Sequence, residues 1–259
     1  MVKIKVATLS LLVVLLLTSF KVHPDKRQFL LMGFGIVELF TSEGNASCPP
    51  ADETLIRLSK EFAGKPVYLL SFHVDYWDNQ GWKDPYSDRA FTERQRRYCQ
   101  LLHADAYTPQ AVFNGRQEMI GSETDHLRTL IKASLKVFTD NVISIGAAIN
   151  GNQLTFNYQL HSVSDDEMVN IALVQERVTD RVTAGENKGT TISNVNVVRV
   201  FKTINANKIT GSTQLTIPPD MEGRPFRIIA YIQSKSTWKV IAGNTVVISS
   251  HQVITVRKG

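Results

Sequence analysis

Cys48 and Cys99 are the only two cysteines in the chain. Cys48 ends the loop sequence TSEGNASC, just before two prolines and an apolar-periodic run. A helix N-terminus presents free N–H groups and the positive end of the backbone dipole, which lower a thiol pKa and favour the thiolate. Pro49 and Pro50 work against this, because neither has an N–H to give. Three readings of Cys48 stand: a working single thiol, a buried inert side chain, or a metal ligand. Cys99 lies mid-helix beside Tyr98. It is either a small buried apolar group or the distant redox partner of Cys48, and sequence alone does not show whether two cysteines meet. His73, Asp75 and Asp78 leave a strand together. Imidazole, carboxylate and thiol are donors for zinc or copper. Their spacing matches no recognised ligand pattern, so a loop capping the strand edge competes, and neither metal nor cofactor is assigned. No Gly-x-Ser-x-Gly or phosphate-cradling glycine loop occurs, which removes two common enzyme classes.

Elements that could hold these groups follow from periodicity. Residues 34–40 form an apolar strand. Leu55, Leu58 and Phe62 recur at helical spacing behind Pro49 and Pro50, and Asp52 and Glu53 sit where the helix dipole favours acid. Residues 67–74, VYLLSFHV, form a second strand, and the strand–helix–strand order predicts a parallel pair. Residues 75–88 form an aromatic and polar loop. Its Tyr76, Trp77, Trp82 and Tyr86 are expected at a seam between two halves. A helix over 89–103 follows, then a strand over 107–115 entered through Pro109 and returned by residues 117–121. A further helix starts near Ser122. After residue 139 helical periodicity stops, and seven strand-like runs predict an antiparallel sandwich or barrel.

The bulk composition fits a packed soluble protein: 43% hydrophobic and 20% charged over 259 residues. The net charge of +5 is scattered. Its densest cluster, Arg94, Arg96 and Arg97, reads as a solvated helix face, so no nucleic-acid partner is expected. Lys3 and Lys5 precede an uncharged run from residue 6 to 20. That is the pattern of a secretory leader, and the run is short for a membrane helix of about 20 residues. Export to the periplasm or medium is expected. An uncleaved anchor is the alternative, with membrane contact only through this segment.

Four stretches, ELFTSEGNASCPPAD, SFHVDYWDNQGWKDP, YTPQAVFNG and GENKGTTISNVNVVR, occur in order. Together they resemble the bacterial secreted family called domain of unknown function 1223. The resemblance implies an α/β thioredoxin-like domain over 24–139, after a leader or anchor over 1–23, and an all-β antiparallel sandwich-like domain over 140–259. It also implies that Asn45 replaces the first cysteine of a Cys-x-x-Cys motif, leaving Cys48 without a partner inside the motif. Pro109 would be a cis proline packed against the Cys48 loop, with His73, Asp75, Trp77 and Thr108 in the neighbouring groove or loop. Two functions follow as expectations: single-cysteine thiol redox chemistry on a protein or peptide thiol or disulfide, or a non-catalytic peptide-binding module. A metal-handling protein is a third. Arg177, Glu186, Asn187 and Lys188 frame a hairpin tip with no chemistry assigned.

Expressed with its first 20 residues in a bacterium, the protein is expected to fractionate outside the cytoplasm. Recovery in the cytosol alone would remove the export address.

Overall fold

The computed structural model describes residues 33–248 and 254–255. Residues 1–23, expected to be a leader or anchor, lie outside them. Among the described residues no helix is long and apolar enough to cross a membrane.

Strand β1 (Gly35–Thr41) leads through the Cys48 loop into α1 (Pro49–Glu61) and back as β2 (Val67–His73). β1 and β2 pair in parallel, Gly35 opposite Val67 and Thr41 opposite His73. Every residue of β1 is buried, as expected for a strand covered on both faces. α2 (Arg89–Leu102) is capped by the Asp88 carboxylate, which accepts from the Ala90 N–H. β3 (Gln110–Phe113) runs antiparallel to β1, and β4 (Gln117–Ile120) antiparallel to β3. The turn between them needs Gly115: its φ is +61°, and a Cβ there would lie 2.0 Å from the Trp238 carbonyl oxygen. α3 (Thr124–Ser134) packs Leu127 and Ile131 into the core beside Leu55 and Leu58.

The later chain is β throughout, apart from one short 3₁₀ turn: β5 (Ile143–Asn150), β6 (Gln153–Leu160), β7 (Glu167–Arg181), β8 (Thr191–Asn205), β9 (Thr210–Thr216), β10 (Phe226–Ser234), β11 (Val240–Ile248) and β12 (Ile254–Thr255).

The fold expected from the sequence, an α/β thioredoxin-like domain followed by a separate all-β sandwich-like domain, is corrected by the strand order. A single eight-stranded mixed sheet runs β11-β10-β7-β8-β2-β1-β3-β4. Strands from both sides of residue 139 lie in it, joined where Ser71 of β2 meets Val197 of β8 in parallel. A smaller sheet, β12-β5-β6-β9, packs its apolar face on the large one. Twelve strands against three α-helices make the described chain mainly β. The physical reason is an edge. β2 would otherwise end the first half's sheet with unpaired backbone groups, and β8 meets that edge at Ser71.

The two parts are also tied through a buried ion pair. Arg94 of α2 is 7% exposed and grips Glu38 of β1 at 2.6 and 3.0 Å. The same guanidinium donates to the hydroxyls of Tyr98 and Tyr231 and to Gln233 Oε1. Rings of Phe201 and Trp238 face it at 4.6 and 5.0 Å. Arg94 is thus not on the solvated face expected of it, whereas Arg96 and Arg97 are exposed.

Arg94→Ala leaves the Glu38 carboxylate buried without its cation and is expected to cost about 3–5 kcal/mol. Urea unfolding checks this. An apolar double replacement, Glu38→Leu with Arg94→Met, is expected to cost less than Arg94→Ala alone, because it strands no charge.

Candidate functional site

The residues with chemistry gather at the carboxyl ends of β1 and β2. Parallel pairing puts both strand ends on one edge, so Glu43 of the first loop meets Asp84 of the second, which pairs with His73.

Cys48 takes the N-cap position of α1. Its N–H donates to the Asn45 carbonyl at 3.1 Å, and its own carbonyl accepts from the Ala51 N–H at 2.9 Å. The side chain is fully buried. Burial, then the neighbouring Asp52 carboxyl, pushes the thiol up to about 12 against the hydroxyls of Thr41 and Thr108 and the Ser42 N–H. A helix N-terminus therefore does not produce a thiolate here. Its first two residues are prolines, and the nearest charge is negative.

Asn45, 4% exposed, stitches the loop shut. Its Nδ2 donates to the Thr108 carbonyl at 3.1 Å and to Thr108 Oγ1 at 2.8 Å, and its Oδ1 accepts from the Ser47 N–H at 2.9 Å. The Trp77 indole donates to the same Thr108 hydroxyl at 2.7 Å. The Thr108–Pro109 peptide is cis, and Gly121 lies tight against Pro109, Leu39 and Ala51. The structure thus brings together Asn45, Trp77, Thr108, Pro109 and Cys48. Asp75 stands apart: its carboxylate accepts from Thr92 Oγ1 at 2.5 Å and ties the loop to α2. Cys99 is buried, with a free thiol aimed at the Asp105 carbonyl at 3.4 Å, and Cys48 is also free.

Behind the loop sits a buried acid–histidine cluster. His73 Nδ1 lies 2.7 Å from Asp84 Oδ2, both side chains fully enclosed. Burial alone would lower the imidazole, but Asp84, Asp52 and Glu43 outweigh it and hold it above its ordinary value. Burial likewise opposes ionisation of Asp84, yet His73 keeps that carboxyl low. Glu43 is pushed up to about 8, by burial first and then by Asp84. Asp52 is pushed up to about 7 by burial, against His73 and Thr41. His73 and Asp84 therefore form the ion pair, while Glu43 stays protonated at neutral pH. Glu43 Oε1, Asp52 Oδ2, His73 Nε2 and the Asn194 amide are buried with no partner among the described residues. Three acids here escaped the sequence reading. Asp52 looked like a helix-dipole residue, and nothing in TSEGN or KDP marked Glu43 or Asp84 as interior. The position of Glu43 two residues past the end of β1 was the available signal. Among the described residues, no three His, Cys, Asp or Glu side chains converge as an ion site.

The hairpin tip between β7 and β8 caps this end. Asn187 Nδ2 donates to the carbonyls of Glu43 at 2.8 Å and Asn45 at 3.0 Å, and Glu186 accepts from the Ala46 N–H at 2.9 Å. Gly185, at φ +72°, lies against Trp82. Of the four loop aromatics, Trp82 and Tyr86 meet the later strands; the Tyr86 hydroxyl donates to Asp180 at 2.7 Å. Tyr76 and Trp77 bond within the first half, to Gln95 and Thr108.

The cluster has a pH signature. Glu43 and Asp52 bind protons more tightly folded than unfolded, so their contribution is complete below about pH 4, the ordinary carboxylate range, and is lost as pH rises through about 7 and 8. Glu43→Gln is expected to flatten the decline in stability between about pH 5 and 8. Unfolding midpoints across that range, wild type against variant, decide it. An unchanged slope would show that Glu43 ionises normally.

Two solved structures share this architecture. Protein AGR_C_4864 from Agrobacterium tumefaciens is 23% identical, with 86% of this chain and 97% of that one aligned at a TM-score of 0.56. HBP35 of Porphyromonas gingivalis is 10% identical, with 88% and 81% covered at 0.60. At these identities the likeness is one of fold. No curated protein matches the chain. The family model described as "Protein of unknown function (DUF1223)" matches residues 36–233, and the chain belongs to that family.

Proposed function

We propose that the protein is an exported, non-catalytic binding module, which presents the Cys48 loop as a rigid surface for a protein or peptide partner. The observation that carries this reading is the state of Cys48: fully buried, with its thiol held up at about 12. A thiol needs exposure and a low pKa to attack a disulfide, and Cys48 has neither. Asn45 supports the same reading. It spends its amide on Thr108 and Ser47 rather than standing free beside the thiol. What the loop offers outward is Ala46, Ser47 and Pro50, all exposed on a backbone fixed by Asn187 and Glu186. A fixed backbone lowers the ordering cost of association. The thiol-redox reading has less behind it, since the Cys48 thiol is buried and held up, and so has the metal-handling reading, since no three His, Cys, Asp or Glu side chains converge as an ion site among the described residues.

The test is thiol accessibility. In native buffer at neutral pH, Ellman's reagent is expected to modify neither cysteine on the timescale that titrates both in denaturant. A disulfide substrate is expected to turn over no faster than the uncatalysed rate. Rapid native labelling lost in Cys48→Ser, or turnover lost in that variant, would overturn the binding-module reading for a single-thiol enzyme.

A further inference from the structure

The large sheet splits at the other end of β2. β2 and β8 share the one register pair Ser71–Val197. Amino-terminal to it, Val67–Leu69 and Val195–Asn196 line opposite sides of a half-open cleft of about 650 Å³. Asn196 takes a left-handed backbone, φ +50°, where β8 bends past the gap. The loop after α1 closes one end, and β10 and β11 form the far wall through Ile229 and Thr245. Its lining is mixed: Ala63, Pro66 and Val67 bring apolar atoms to the cleft among the polar ones, and Leu69, Val195 and Ile229 lie nearly enclosed behind them.

Three features give the cleft a chemical preference. Tyr68 lines it, and burial alone pushes its phenol up to about 12. The phenol is therefore neutral at physiological pH, and its hydroxyl makes no hydrogen bond to protein among the described residues. The rim carries Lys65, Arg177 and Arg227 against a single acid, Glu176, which pairs with Arg227 at 2.9 Å. Arg177 has no ion-pair partner among the described residues, and Lys65 lies over the Phe62 ring at 5.3 Å, both at the rim of the recess. Small-molecule sites are mostly apolar concavities with a few convergent polar groups, and arginine suits a planar carboxylate.

We infer that this cleft binds an amphipathic organic carboxylate, its apolar body between β2 and β10 and its anionic end at Arg177 and Lys65. The site is at the opposite end of β2 from His73, six residues away, or about 20 Å along an extended strand. It does not depend on how the Cys48 loop functions.

Titration calorimetry on the folded protein tests this with decanoate as probe and decanol, butyrate and inorganic phosphate as controls. Decanoate is expected to bind saturably at one equivalent. Decanol, lacking the charge, and butyrate, lacking the body, are each expected to bind at least about tenfold more weakly, the loss of roughly one good contact. Phosphate should not compete. Arg177→Glu changes an exposed side chain, so it should leave the unfolding midpoint in place while weakening decanoate by about tenfold or more. Tyr68→Phe, which removes only the hydroxyl, should weaken it less. Absence of saturable decanoate binding, equal binding of decanol, or affinity unmoved by Arg177→Glu with the fold intact would each overturn the inference.

Discussion

The buried pair between Arg94 and Glu38 is the constraint on which the rest of the architecture hangs. Burial works against a charged guanidinium, and Glu38 more than compensates, so Arg94 remains protonated. A charge held in that way must have its remaining donors satisfied. The groups that do so come from distant parts of the chain: Tyr98 one helical turn on, then Tyr231 and Gln233 more than 130 residues later. Gln233 passes the network outward to Asn170 and to the Trp238 carbonyl. β1, α2, β7 and β10 thereby have one relative placement that makes these bonds. Nonpolar packing alone tolerates sliding more readily than this geometry does.

From that placement the setting of the Cys48 loop follows. With β7 and β8 fixed beside β2, their 15-residue strands carry the tip hairpin past the sheet to the strand ends, where Asn187 and Glu186 meet the loop. The later chain thus fixes the backbone of the loop, while Thr41, Ser42, Asp52 and Thr108 of the first half surround the thiol itself. The buried acids are a second result. Enclosing Glu43 and Asp52 is tolerable because each can take up a proton, and one full ion pair, His73 with Asp84, is kept among them.

Much of the local structure was legible in the sequence. Alternation and apolar runs located the β1–α1–β2 unit to within a residue or two, and the Asn-Gly turn located β5 and β6. The Cys48 loop and Pro109 were singled out and do lie together around Thr108. What could not be read was which strands become neighbours across the chain. A strand's period reports which faces are buried and is silent about its edges, so the meeting of β2 with β8, and hence the merging of two expected units into one sheet, left no local trace. Arg94 illustrates the same limit. Its exposed neighbours Arg96 and Arg97 share its chemistry, and only Glu38 on another element distinguishes it. GENKG carried no chemistry of its own because its role lies in the backbone it caps.

The join between β2 and β8 also orders events during synthesis. The two bridging residues are 126 positions apart, and Tyr231 lies 193 positions beyond Glu38. Contacts of such separation form slowly. A nascent chain that has released only its first 136 or so residues holds β1, β2, β3 and β4 with the β2 edge bare, and a bare edge is a template for the wrong neighbour. A leader that keeps the chain unfolded until it has crossed a membrane would spare it that stage, since β8 and β10 would then arrive at the sheet together with β2. Truncation near residue 139 would leave the intermediate permanent, an aggregation hazard in place of a small independent domain.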